Sequence, residues 1–147
     1  MIYAAISSIG KIILIIKRGS FNSNFYCDVL ENSLIPYANS VFPNGFTLQQ
    51  DNSPVHTASI TRDLLEESDV DVLSWPPYSP DLNIIENIFF YLKVEVEKKR
   101  PVDLIDLETK VKDAWDEMPD EIIFNLYQSI DNRLQTVISK EGGKIPY

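Results

Sequence analysis

The chain has 147 residues, 44% of them hydrophobic, enough for one domain (1–147) with a real core and too apolar for a disordered segment. Its net charge of −9 argues against this chain alone gripping DNA tightly, because nonspecific affinity comes from cations displacing counterions along the phosphates. One cysteine, Cys27, rules out an internal disulfide framework and fits a reducing compartment; no apolar run reaches the roughly 20 residues a membrane crossing takes, and the basic residues near the start sit wrongly for a cleaved signal.

In chain order, Ile2–Ser7 and Lys11–Lys17 flank Ser8-Ile9-Gly10, where glycine can take the positive φ of a hairpin loop. Lys11 and Lys17 bracket the second strand as charges that suit an edge. Asn22 or Ser23 can cap a helix with Phe25, Tyr26, Val29, Leu30 and Leu34 or Ile35 at helical spacing, and Pro36 predicts its end. Pro43-Asn44-Gly45 is a turn signal, after which Phe46–Gln50 reads as a strand delivering Asp51. Thr57 or Ser59 opens a helix with Ile60, Leu64 and Leu65 inward, and Val70–Trp75 reads as the next strand. Strand, helix, strand implies a parallel pair with both strand ends on one rim of the sheet, the rim ligand sites favour.

Three helices follow. The first runs from Asn83 through Ile88, Leu92 and Val96 to Lys98-Lys99-Arg100, where Pro101 stops it and the basic end complements the helix dipole. The second starts at Asp103 with Leu104, Leu107, Val111 and Trp115 on one face. Pro119 opens the third, which carries Ile122, Ile123, Leu126, Tyr127, Ile130, Leu134 and Val137 and ends at Gly142-Gly143 as a C-cap. There is no internal repeat or linker.

Polar chemistry gathers in two places: Gln50-Asp51-Asn52 with His56-Thr57-Ala58, and Trp75-Pro76 with Ser79-Pro80-Asp81-Leu82-Asn83 leading to Ile85-Glu86-Asn87. One acid stands at a strand end, and the other, Glu86, in the first turn of a helix. Carboxylates so placed suit hard divalent cations, since Mg²⁺ prefers oxygen ligands and takes only one or two from the protein. Each residue also has a plainer account. Asp51 fits a turn that bonds its own backbone. Glu86, three residues after Asn83, fits a capping box, and the helix N-terminus favours a carboxylate in either role. Asn52 suits either purpose. His56, the only histidine, reads as a packing or hydrogen-bonding residue before a ligand, and Asp81 as a cap of the following helix. Trp75 and Tyr78 read as shaping their loop, and Lys98-Lys99-Arg100 as a solvated helix end.

Together these two motifs resemble the catalytic domain of Tc/mariner-type DDE transposases, over nearly the whole chain, the final helix and Gly142-Gly143 included. The resemblance implies an α/β RNase H-like mixed sheet flanked by helices with a helical C-terminal half. It makes Asp51 and Glu86 the last two members of an Asp, Asp, Asp/Glu triad and ligands of Mg²⁺ or Mn²⁺. It further implies metal-dependent hydrolysis of a DNA phosphodiester, strand transfer by the freed 3′-hydroxyl, transposon ends and target DNA as partners, and a nuclear location in a eukaryote or a cytoplasmic one otherwise. Ile84 stands where the family usually has a proline.

No residue matches the family's first Asp, which sits on the fold's central opening strand, so the chain reads as N-terminally truncated. Three outcomes are expected: the strand lies upstream in the gene product, the hairpin closes the gap directly, or the chain is poorly stable. In the family that Asp is shared by two ions held about 4 Å apart, and without it activity should largely go. The reading from another class is an inactive transposon-derived remnant that acts as a nucleic-acid or protein interaction module, forming a homodimer or pairing with full-length transposase.

Overall fold

Ile2–Ser7 (β1) and Gly10–Ile16 (β2) pair antiparallel from Ile2↔Ile16 to Ser7↔Gly10, and Gly10 takes φ 130° where the turn re-enters the ladder. This hairpin packs on three helices: Ile85–Lys99 (α4), Leu104–Asp116 (α5) and Asp120–Ser139 (α6). The computed structural model describes residues 1–143 and 145, and its contacts gather into two compact units. Ile2–Ile16 and Ser79–Tyr147 make one; Met1 and Lys17–Tyr78 make the other.

In the hairpin unit, Ile88, Leu92 and Val96 recur every four residues along one face of α4 and close on Ala4, Val111, Ala114, Trp115, Met118 and Ile123. Each fully buried aliphatic side chain of this kind contributes about 1.5–3 kcal/mol. Asp103 caps α5 by accepting from the Asp106 amide, as its position in the sequence suggests. Lys11 departs from its expected role as an edge charge. Its Nζ donates to the carbonyls of Trp115, Asp116 and Met118 at 2.9–3.0 Å, so it satisfies the open end of α5. The apolar stripe expected along α6 also breaks: Leu134 is exposed, and Arg133 beside it is only 2% exposed. At the end of α6 the amides of Glu141 and Gly142 bond back to Ile138 and Val137, with Glu141 rather than a glycine first to take the left-handed conformation, at φ 51°.

In the other unit, Ser23–Val29 (α1) does not stop at Pro36. It continues through a π turn, Leu30–Leu34, into Ile35–Val41 (α2). Pro36 lacks an amide hydrogen and its ring crowds the preceding turn; the wider π turn, with the Ile35 amide reaching back five residues to Leu30, relieves both problems. Asn22 is the N-cap, its side chain accepting from the Phe25 amide. The helix Ser59–Glu67 (α3) packs on α1 through Leu65 and the buried Thr61, whereas Ile60, expected inward, is exposed.

Thr47–Leu48 (β3) and Asp71–Val72 (β4) pair in parallel, as the strand, helix, strand order predicts. Both strands are shorter than the apolar runs around them. After the Leu73 amide bonds to Leu48, side chains take over: Asn52 Nδ2 donates to the Trp75 carbonyl at 2.8 Å. Among the described residues each sheet has two strands only.

Candidate active site

Asp51 follows β3 where the chain turns away from β4. Its Oδ1 accepts from the Ser53 amide at 3.0 Å, the short-range turn expected of Asp-Asn-Ser-Pro, and also from His56 Nδ1 at 2.7 Å. The Asp51 carbonyl lies 3.1 Å from the same nitrogen. Both neighbours of Nδ1 are acceptors, so Nδ1 must carry the hydrogen, and His56 serves Asp51 as a donor. Its ring is held in turn against Tyr26, centroids 4.6 Å apart, while the Tyr26 hydroxyl donates to Gln50 Oε1 at 2.7 Å. Partial burial pushes the Asp51 carboxyl upward, and it is outweighed by the Ser53 amide and by the hydrogen bond and charge of His56, so the group lies below its ordinary value of 3.8. Asp51 is therefore a carboxylate at neutral pH. Asp51, Asn52, His56, Arg62, Val72 and Trp75 line an open cleft of about 670 Å³.

Glu86 belongs to the other unit. It sits in the first turn of α4, as expected, with its carboxylate exposed and with no hydrogen bond or ion pair among the described residues. The capping box does not form: Ile84 is the N-cap, the Asn83 amide bonds to the Pro80 carbonyl, and the buried Asn83 Oδ1 accepts no hydrogen bond among the described residues. Asp81 does not cap α4 either. Its carboxylate accepts from the Ile145 amide at 3.2 Å and its carbonyl from Arg133 Nη1 at 2.7 Å. Tyr78 is fully exposed at φ 55°, so it does not shape its loop by packing. Lys98 and Lys99 pair with Glu95 and Glu117, the solvated helix end expected.

Among the described residues no three or more His, Cys, Asp or Glu side chains gather as a ready metal cage. Asp51 is held by Ser53 and His56, while the Glu86 side chain makes no hydrogen bond or ion pair among the described residues. Arg133 was not anticipated. The signal existed, since residue 133 continues the stripe of 123, 126 and 130, and a cation on an apolar stripe of a helix marks a buried partner.

A two-stranded hairpin, a short parallel strand pair and a helical second half make up a mixed α/β chain of the RNase H-like fold. Solved structures share it. The catalytic domain of Mos1 transposase, solved with raltegravir and manganese, superposes with a TM-score of 0.82 at 21% identity, covering 95% of this chain and 74% of that one. A Mos1 mariner paired-end complex with manganese gives 0.79 at 21% identity, over 96% and 43%.

A family described as DDE superfamily endonuclease matches residues 1–108, and the chain belongs to that family, in its Tc/mariner branch. The Tc3 transposase of Caenorhabditis elegans is 32% identical over 149 aligned positions, 100% of this chain and 45% of that protein. The Tcb2 transposase of Caenorhabditis briggsae is 34% identical over 122, covering 83% and 45%. The chain thus spans about half the length of the curated relatives it matches.

Proposed function

We propose that these residues serve a divalent-metal-dependent DNA endonuclease and strand transferase of the Tc/mariner kind, with Asp51 and Glu86 as metal ligands. One observation carries the reading: Asp51 is held ionised by Ser53 and His56 at an open cleft of an RNase H-like chain. Two oxygen donors of this kind fit Mg²⁺ or Mn²⁺, which take few protein ligands and keep several waters. Bound there, such an ion would supply Lewis-acid charge neutralisation and an acidified water for phosphodiester chemistry.

The protein's own contribution is orientation. His56 fixes the Asp51 carboxylate and, with Nδ1 committed to it, acts as an orienting donor. Asn52 holds the two strand ends together across Trp75, keeping the cleft wall in register. The net charge of −9 means that affinity for transposon ends and target DNA must come from a basic surface supplied by another component of the assembly. Chromosomal DNA as substrate would place the protein in the nucleus of a eukaryote, or the cytoplasm otherwise.

The test is incubation of the chain with supercoiled plasmid and Mn²⁺, with Asp51→Ala alongside. Slow, metal-dependent nicking that the substitution removes is expected. A well-folded chain that nicks nothing, or nicks equally without Asp51, contradicts the proposal.

A further inference from the structure

We infer that Arg133 is a positioning residue for Glu86, acting from α6 on the turn that presents the carboxylate. Arg133 is 2% exposed, and its planar fork spends its donors on both sides of Glu86. Nη1 donates to the Asp81 carbonyl at 2.7 Å, before the turn, and Nη2 to Asn87 Oδ1 at 2.9 Å, on the residue after Glu86. The fork is itself aimed. Nε donates to Ser129 Oγ at 2.9 Å, one helical turn back, while the Ser129 hydroxyl donates to the Leu126 carbonyl at 2.6 Å and so presents a lone pair to the guanidinium. These three bonds leave in different directions from one rigid plane, which a lysine with a single ammonium centre does not reproduce.

Burying a guanidinium is unfavourable unless its hydrogen bonds are made, so the turn and α6 are registered to each other whenever this unit is folded. The Ile145 amide adds a second hold on the same residue through the Asp81 carboxylate. Glu86 has no tether on its own side chain among the described residues, so what Arg133 fixes is the backbone from which that carboxylate projects. That arrangement suits a ligand that must stay free for a cation yet enter it from a fixed direction.

The inference rests on Glu86 being a metal ligand, and the experiment separates the two ideas. Amide hydrogen exchange and Mn²⁺-induced line broadening at Glu86 and Asn87 are followed by NMR in the wild-type chain, Arg133→Lys, Asn87→Ala and Lys11→Met. Lys11→Met loosens the end of α5 in the same unit and serves as the control for general destabilisation. Expected are lost exchange protection at residues 81–87 in Arg133→Lys and a rise of about tenfold or more in the Mn²⁺ concentration that broadens Glu86, the size seen when a partner orienting a metal ligand is removed. Asn87→Ala, which keeps the arginine, should move both readouts the same way by less, and Lys11→Met should move neither at the turn. Wild-type broadening at Glu86 that Arg133→Lys and Asn87→Ala leave unchanged overturns the positioning role alone. A wild type that never broadens there overturns the metal reading and this inference with it.

Discussion

Asp51 is held by Ser53 and His56, two and five positions away, whereas the turn presenting Glu86 is held from 46 to 64 positions away, by Arg133 on Asn87 and Asp81 and by the Ile145 amide. The first acid carries its supports within one loop. The second borrows them from the far end of the chain, and among the described residues its own carboxylate has no partner. Local hydrogen bonds can form as soon as the loop does, while the distant ones exist only when α6 is packed, so order at Glu86 is tied to the folding of its whole unit.

Arg133→Met should break the comparison most severely. It strands the Asp81 carbonyl and the Asn87 amide oxygen inside the unit, and urea unfolding should show a loss of about 2–5 kcal/mol, with the turn at Glu86 the first region to lose exchange protection. Lys11→Met removes another long-range hold in the same unit, the one on the carbonyls of Trp115, Asp116 and Met118. The expected loss is about 1–3 kcal/mol, with the Glu86 amide unshifted at temperatures where the chain stays folded.

His56→Ala tests the local side. The Asp51 carboxyl lies below 3.8 when folded, so its contribution to stability is complete above that pH and is lost as pH falls through the lower folded value. Without His56 the remaining burial pushes the group back up, and carboxyl ¹³C NMR should find the midpoint moved toward 3.8 or beyond, with acid unfolding starting at a correspondingly higher pH. An unmoved midpoint would mean that the imidazole contributes nothing to holding the carboxylate. The smallest effect belongs to Glu86→Gln. An exposed side chain with no partner among the described residues should change stability by no more than about 0.5 kcal/mol, as read from a thermal melt.

The same local and distant divide explains what could be read from the sequence. The hairpin turn at Gly10, the apolar faces of α4 and α5, the Asp103 cap, and the placing of Asp51 after a strand and Glu86 in a first helical turn all follow from neighbours within a few residues. The π turn ahead of Pro36 was hidden because proline reports only that a regular α-helix is disturbed, and both a stop and a wider turn answer that disturbance. The two-residue lengths of β3 and β4 were hidden because an apolar run does not report ladder length: Val72 and Leu73 are exposed, and the ladder ends where the Asn52 side chain replaces backbone pairing. Lys11 and Arg133 were misread or overlooked for one reason: a cation's partner a hundred or fifty residues away leaves no trace in the local pattern, except that Arg133 interrupts an apolar stripe.

Whether Asp51 and Glu86 hold the cation is read from Mn²⁺ binding, followed by the fading of the free-ion electron paramagnetic resonance signal, with wild type, Asp51→Asn and Glu86→Gln measured at equal, verified folding. Each substitution should weaken binding at least about tenfold, no less than is lost when a group that merely orients a ligand is removed. Wild-type affinity retained in both variants would contradict that role.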